Sequence, residues 1–306
     1  MIKVSVCMIT YNHQAFIAQA IESILAQKTS FPVEIVIGDD NSRDDTAAIC
    51  ADYAARYPGR IRYVRREPNI GMMPNFITTL QACTGEYIAV CEGDDYWTDE
   101  NKLQLQTDFL DAHPDYSLCC HNHEVLTKGE LVKAGRDFSE PVRAVPAEEY
   151  LLHPFFHTSS YFFRKTAMPL PFPDWYQQVL AGDHFLVLFL AMKGQIGCLN
   201  KRMSVFRNHG SSVSFTRSAL DIKENFVKHL VLFNQYSQEK YDRVIRKVIR
   251  KWDVLYKVYE PVGYFKKLGF LFSNLGFCLR NFSYLGGLKL YIKYFIPVSL
   301  IRKLKS

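Results

Sequence analysis

The feature that most constrains this chain is a strand–helix alternation through its first 125 residues, with polar clusters at three of the strand ends. Residues 2–9 (IKVSVCMI) are β-branched and mostly apolar, the pattern of a buried strand. Residues 14–27 place Phe16, Ala20, Ile21, Ile24 and Leu25 on one helical face. A second strand covers 33–38, and a helix over 44–57 is stopped by Pro58-Gly59. A third strand covers 61–65, Asn69 and Gly71 mark a loop, and 74–83 reads as a helix. A fourth strand at 86–91, a helix at 99–112 and a strand at 116–125 continue the series. Short connections between such elements imply a mainly parallel sheet with helices on both faces. Ligands of such sheets bind beyond the carboxyl ends of the strands. Thr10-Tyr11-Asn12, Asp39-Asp40 and Asp94-Asp95 should therefore face one crevice.

Beyond residue 125 the pattern loosens. Six prolines between 141 and 173 break it into short pieces, leaving a helix at 184–193 and strands near 195–199 and 203–207. Residues 219–259 read as one or two polar, basic helices. With 306 residues, the chain suffices for one large domain or two small ones. Its 48% hydrophobic and 22% charged residues exclude a disordered, collagenous or coiled-coil protein. Eight scattered cysteines without a CxxC exclude a disulfide scaffold and a zinc site of that spacing; reduced, buried thiols are expected. The opening MIKVSVCMITYN runs into a polar turn and lacks the pattern of a leader.

The net charge of +6 conceals a split. Residues 217–306 carry 18 basic and 6 acidic side chains, and the preceding 216 residues carry 19 and 25. An acidic body suits a bound cation and argues against a nucleic-acid groove. Beyond Glu260 come eight Lys or Arg and no acid, interleaved with aromatics, as in Tyr264-Phe265-Lys266-Lys267 and Tyr291-Ile292-Lys293-Tyr294-Phe295. No run of ~20 apolar residues exists, so no spanning helix is expected. The interleaving suits helices lying in an anionic membrane interface, although a packed helical subdomain with a basic outer face reads the same way.

Glu92-Gly93-Asp94-Asp95 is the most informative stretch. Two carboxylates at ~4 Å repel by about 1 kcal/mol in water and about 4 at an effective dielectric of 20. A hard divalent cation, Mg²⁺ or Mn²⁺, removes that cost. Otherwise the stretch is an Asp-rich turn capping helix 99–112. Asp39-Asp40-Asn41-Ser42 is either an acceptor for a nucleobase N–H, such as uracil's, or a turn capping the next helix. Asp183, before the apolar run His184–Met192, is either an N-cap or a general base. Arg207 through Ser212 suit a phosphate- or metal-binding loop. His157-Thr158-Ser159 begins an apolar strand and is a weak substrate-contact site; His121 and His123 share a strand face without a third ligand and read as structural. No GxGxxG follows the first strand, and no P-loop or GxSxG occurs, which excludes the usual nicotinamide, P-loop and hydrolase sites.

In order, VSVCMITYNHQAFIAQAIESILAQ, VEIVIGDDNSRDDT, NIGMMPNF and TGEYIAVCEGDDYW resemble an inverting family 2 glycosyltransferase of the GT-A fold. The resemblance covers residues 1–215 and is strongest over 1–125. It implies a catalytic domain at 1–215, with a nucleotide-binding half (1–125) and an acceptor half (126–215), followed by a basic extension at 216–306. Thr10, Tyr11, Asn12, Asp39, Asp40, Asn69 and Asp94 would then bind the donor nucleotide. Asp95, Asp94 and His209 would hold Mn²⁺ or Mg²⁺, and Asp183 would be the catalytic base. Where many members of that family carry Asp, this chain has Glu92. The implied partners are a nucleotide-diphospho-sugar, a UDP-sugar foremost, and a glycan or lipid-linked glycan acceptor; the basic tail adds an anionic membrane surface. The implied place is the cytoplasmic face of the plasma membrane, in bacterial surface polysaccharide or lipopolysaccharide synthesis. A nucleotidyltransferase and a non-catalytic nucleotide-sugar-binding scaffold are the competing readings; the first would want a basic Gly-rich loop where this chain has TYNHQAF.

Overall fold

The computed structural model describes residues 1–209, 218–256 and Gly269. The chain divides into two compact units, Met1–Ser212 and Val213–Ser306.

In the first unit the alternation forms as the apolar periodicity dictates. Strand β1 (Val4–Thr10), helix α1 (Ile17–Leu25), β2 (Val33–Asp39), α2 (Thr46–Arg56), β3 (Ile61–Arg65), α3 (Met72–Ala82) and β4 (Tyr87–Val90) follow in order. Then come a two-residue strand β5 (Tyr96–Trp97), α4 (Lys102–Ala112), β6 (Tyr116–Thr127), β7 (Glu130–Lys133), β8 (Val142–Val145) and α5 (Ala147–Leu152). A 3₁₀ turn at Thr158–Ser160 leads into β9 (Phe162–Arg164), α6 (Gly182–Ala191) and β10 (Gln195–Asn208). Val4, Val6 and Met8 of β1 and Ile17, Ile21 and Ile24 of α1 belong to one buried core. Each such side chain contributes about 1.5–3 kcal/mol by leaving water.

The sheet order is β3-β2-β1-β4-β9-β6-β10-β5, with β7 against β6 and β8 against β10. The β3-β2-β1-β4 half is parallel, and β10 runs parallel to β6. β9 is antiparallel to both β4 and β6, and so joins the two parallel halves. The carboxyl ends of β2, β1 and β4 thus lie side by side, with Thr10 in register with Asp39.

Two local expectations change. The two strands near 195–199 and 203–207 are one strand, because bulges between Leu199 and Val205 absorb the polar Asn200-Lys201-Arg202 break. Its first part pairs with β8 and its last part with β5. Residues 157–159 enter a 3₁₀ turn rather than a strand, fixed by Tyr161 N–H donating to the Thr158 carbonyl.

In the second unit α7 (Ala219–Tyr236) is capped by the Ser218 hydroxyl, which accepts the Asp221 N–H at 3.1 Å. Helix α8 (Asp242–Tyr256) packs on it through Phe226 and Trp252, with ring centroids 4.8 Å apart, and through a 2.7 Å Lys223–Asp253 ion pair. Val244, Ile245 and Val248 are buried, whereas Arg243, Arg246, Lys247 and Arg250 are exposed. No helix among the described residues is long and apolar enough to cross a membrane. The Lys- and aromatic-rich tail after 256 and the Gly210-Ser211-Ser212 part of the expected loop lie outside the described residues.

Candidate active site

The end of β1 is the hub. Asn12 adopts a left-handed backbone (φ 56°), its N–H donates to Ser42 Oγ at 3.0 Å, and its Oδ1 accepts the Arg43 N–H at 2.8 Å. The loops after β1 and β2 are thereby tied together. Asp39 is fully buried; its Oδ1 accepts from the Ser42 N–H (2.9 Å) and hydroxyl (2.5 Å), and its Oδ2 accepts from Tyr63 Oη at 2.7 Å. Asp40 accepts the N–H groups of Ile70 (2.8 Å) and Gly71 (2.9 Å) on its two carboxylate oxygens. Asn69 Nδ2 donates to the Asp40 carbonyl at 2.7 Å. Neither aspartate caps α2, whose N-cap position is Asp45. Thr10 is buried and Tyr11 exposed.

On the other side of β1, the Gly93 N–H donates to the Ile9 carbonyl at 2.9 Å. A Cβ at Gly93 would stand 2.7 Å from Thr10 Oγ1 and 2.9 Å from Ile17 Cδ1, so only glycine lets the acidic turn lie this close. Carboxylate oxygens of Glu92, Asp94 and Asp95 lie within 4.8 Å of one another. The turn does not cap α4, whose N-cap position is Asn101.

Asp94 Oδ2 meets His209 Nε2 at 3.0 Å, with His13 Nε2 at 3.8 Å. Asp95 Oδ1 accepts the Arg207 N–H at 3.0 Å. The other oxygens, Asp94 Oδ1 and Asp95 Oδ2, are buried with no hydrogen-bond partner among the described residues. His157 Nδ1 lies 3.4 Å from Asp95 Oδ2, yet that nitrogen already accepts the Ser159 N–H at 3.3 Å. Burial, then His123, pushes His157 down to about 3, so it stays neutral and brings no charge to Asp95. Buried unpartnered carboxylate oxygens are costly. Two of them beside a third carboxylate fit a hard divalent cation, of which they are the customary ligands. Burial, then the charges of Asp94 and Asp183, raises Glu92 to about 8. Burial, then Asp94 and Glu92, also pushes Asp95 well up.

Asp183 lies in the first turn of α6, one residue inside the helix, and Ala181 holds the N-cap position. Burial raises its carboxyl pKa, partly countered by the helix-end N–H groups of His184 and Asp183 and by the Thr158 hydroxyl, 3.5 Å from Oδ2. Its charge acts on Glu92, as does that of Asp94.

The sequence-derived residues Thr10, Asn12, Asp39, Asp40, Asn69, Asp94, Asp95 and His209 are thus linked through one set of loops at the strand ends. Three neighbours complete the site: His13 was not singled out in the sequence, whereas Glu92 and Arg207 belong to the acidic turn and the loop marked there without a role of their own. His13 faces Asp94; its position directly after Thr10-Tyr11-Asn12 was the available signal. Glu92 lies beside Asp94 and Asp95 and feels the charge of Asp183. Arg207 braces the acidic turn: Nη1 donates to the Asp94 carbonyl at 2.6 Å and Nη2 to Gln19 Oε1. Its guanidinium stacks on Tyr96 at 4.4 Å and Phe16 at 5.2 Å.

Solved structures share this fold. S. aureus TarS 1-349 in complex with UDP-GlcNAc superposes with a TM-score of 0.65 at 19% identity, over 82% of this chain and 71% of that one. The mannosyltransferase PcManGT from Pyrobaculum calidifontis, in complex with GDP-Man and Mn²⁺, gives 0.55 at 16% identity, over 90% and 80%. The fold is that of a GT-A glycosyltransferase. Residues 5–168 match the sequence model "Glycosyl transferase family 2", and the chain belongs to that family. The uncharacterized protein Rv1520 of Mycobacterium tuberculosis is 37% identical over 213 residues, 68% of this chain and 60% of its own length. The minor teichoic acid biosynthesis protein GgaB of Bacillus subtilis is 24% identical over 254 residues, 76% of this chain but 28% of its own. The chain thus spans less than two thirds of the length of these curated relatives.

Proposed function

We propose that the protein transfers a sugar from a nucleotide-diphospho-sugar, a UDP-sugar foremost, to an acceptor hydroxyl with inversion at the anomeric carbon. The observation that carries this reading is the pair of orphaned oxygens, Asp94 Oδ1 and Asp95 Oδ2, beside Glu92 and Asp183. Asp94 and Asp95 would hold Mn²⁺ or Mg²⁺, with His209 at Asp94; the ion would neutralise the donor diphosphate as it leaves. Asp40, held open by the Ile70 and Gly71 N–H groups, would accept from the base or ribose, with Thr10, Tyr11, Asn12 and Asn69 around it. Asp39, taken up by Ser42 and Tyr63, would support that loop from behind. Asp183 takes the acceptor proton as that oxygen attacks, and burial, by raising its pKa, makes it a stronger base than an exposed aspartate. One in-line displacement inverts the centre. Family membership favours this over nucleotidyl transfer or a scaffold.

The name of the teichoic-acid relative supports a bacterial surface polysaccharide, on a glycan or lipid-linked glycan acceptor. The division near residue 212 supports a catalytic domain over 1–215 and a separate basic extension. The exposed Arg243, Arg246, Lys247 and Arg250, spaced to share one face of α8, support docking of that extension on an anionic cytoplasmic membrane surface. Co-sedimentation with phosphatidylglycerol vesicles tests this; a protein that ignores them at low salt refutes it.

The catalytic test is UDP or GDP release from a nucleotide-sugar panel with Mn²⁺. Asp183→Asn should remove turnover and leave donor binding within about twofold. An equal loss of both would reduce Asp183 to a structural role.

A further inference from the structure

His157 and Thr158 are consecutive, and they touch the two ends of the site. His157 Nδ1 stands 3.4 Å from Asp95 Oδ2, and Thr158 Oγ1 stands 3.5 Å from Asp183 Oδ2. The turn between them is buried and fastened from several sides. Trp97 Nε1 donates to the Ser159 carbonyl at 3.0 Å. Gln106 Nε2 donates to the Ser160 carbonyl at 2.9 Å. Ser159 Oγ donates to Ser204 Oγ at 2.9 Å, and Ser160 Oγ donates to the His157 carbonyl at 2.6 Å. β5, α4 and β10 therefore all hold one short turn. Two of its three hydroxyls fasten the turn itself. The third, on Thr158, is 4% exposed, and Asp183 is the carboxylate it faces.

A hydroxyl at 3.5 Å is a long partner, and hydrogen bonds of this kind in ligand-free sites tighten when substrate arrives. A threonine hydroxyl has one proton to give and a carboxylate only accepts, which fixes the direction of the contact.

We propose that Thr158 is a positioning residue for the base: its hydroxyl donates to Asp183 Oδ2, and the clamped turn holds Asp183 at a set separation from Asp95. The proposal rests on the reading of Asp183 as the base. It goes beyond that reading because it makes residues 157–160 the part that holds the base while packing against the metal-side carboxylate.

The test uses the full chain and reads UDP released in Mn²⁺ from whichever of UDP-glucose, UDP-galactose, UDP-GlcNAc and UDP-GalNAc the native protein turns over fastest, with water as acceptor. Thr158→Val keeps the shape and deletes the hydroxyl. It should lower kcat about 10- to 100-fold while KM for the donor stays within twofold, the range expected when a group that orients a functional side chain is lost. Thr158→Ser should recover most of the rate. In an Asp183→Asn background, Thr158→Val should add nothing. A native kcat in Thr158→Val, or a kcat loss that Thr158→Ser does not recover, overturns the positioning role. If Thr158→Val does not fold, Thr158→Ser and Thr158→Ala, checked by melting temperature, carry the comparison: Ser near native and Ala reduced in kcat alone support the role, and equal rates overturn it. Asp183→Asn separates the two ideas. Full turnover in that variant sinks the base itself, whereas loss there beside a native Thr158→Val sinks only the positioning.

Discussion

The main-chain N–H of Arg207 donates to the Asp95 carboxylate at 3.0 Å, joining two residues 112 positions apart in the chain. The Arg207 side chain then returns to the Asp94 carbonyl and to Gln19, between the Phe16 and Tyr96 rings. One residue at the end of β10 thus fixes the main chain and one side chain of the acidic turn. With Arg207 on Asp95 Oδ1 and His209 on Asp94 Oδ2, the other two oxygens, Asp94 Oδ1 and Asp95 Oδ2, have no hydrogen-bond partner among the described residues.

Arg207→Ala keeps the main-chain donor and removes the brace. It should lower Mn²⁺ affinity about 10- to 100-fold, as losses of groups supporting metal ligands do, and cost about 1–3 kcal/mol of stability through the abandoned Asp94 carbonyl. Arg207→Lys should not restore metal affinity, because an ammonium cannot reach the Asp94 carbonyl and Gln19 together as a planar fork does. Isothermal titration with Mn²⁺, beside thermal melts, reads both effects; unchanged metal affinity in Arg207→Ala refutes the brace.

Asp95→Asn should split stability from function. The amide keeps an oxygen for the Arg207 N–H. It also takes one ionisable carboxyl out of three crowded ones, two of which burial and mutual repulsion already push up. Without metal the variant should therefore melt higher, by about 2–4 °C if the relief is about 1 kcal/mol. Added Mn²⁺ should raise the native melting temperature and leave the variant's unchanged. A variant still stabilised by Mn²⁺ would take Asp95 out of the ligand set.

Much of this was readable beforehand, for a physical reason. Apolar periodicity and Pro-Gly punctuation are local, so the elements from β1 to α4 lie where the spacing puts them, and the carboxyl-end rule then brings Asp39, Asp40 and Asp94 together. Pairings between distant segments leave no such trace. The two residues of β5 are too few to show a period, and β7 and β8 take their order from β6 and β10. The 3₁₀ turn at Thr158 was hidden by the apolar Tyr161-Phe162-Phe163 after it. That Arg207, His13 and His157 converge on Asp94 and Asp95 depends on the folded sheet.

Gly93→Ala should show how tightly the acidic turn is seated. The new methyl would meet Thr10 Oγ1 and Ile17 Cδ1 at 2.7 and 2.9 Å, both in the packed end of β1 and α1. Overpacking of this kind costs about 1–3 kcal/mol, and relief would come by lifting the turn. The variant should melt lower and bind Mn²⁺ more weakly, while Gly59→Ala, open to solvent but at φ 78°, should lose stability alone. Native Mn²⁺ binding in Gly93→Ala would show that the turn's height over β1 does not set the metal site.

Glu92 sets a pH dependence whose sign follows from its position. Burial and the charges of Asp94 and Asp183 raise it from the ordinary 4.5 to about 8. Between those values the folded chain holds a proton that the unfolded chain has released. Stability from this group is therefore full below about pH 4.5 and is lost progressively as pH rises to about 8, beyond which no more is lost. The melting temperature of the metal-free protein should fall across that window, and Glu92→Gln should flatten the slope. Saturating Mn²⁺ should flatten it as well, since a cation beside Asp94 and Asp95 offsets the charge that holds the proton on Glu92. Melts at intervals from pH 5 to 9, with and without Mn²⁺, read the slope directly; an equal fall in Glu92→Gln would assign the effect to another group.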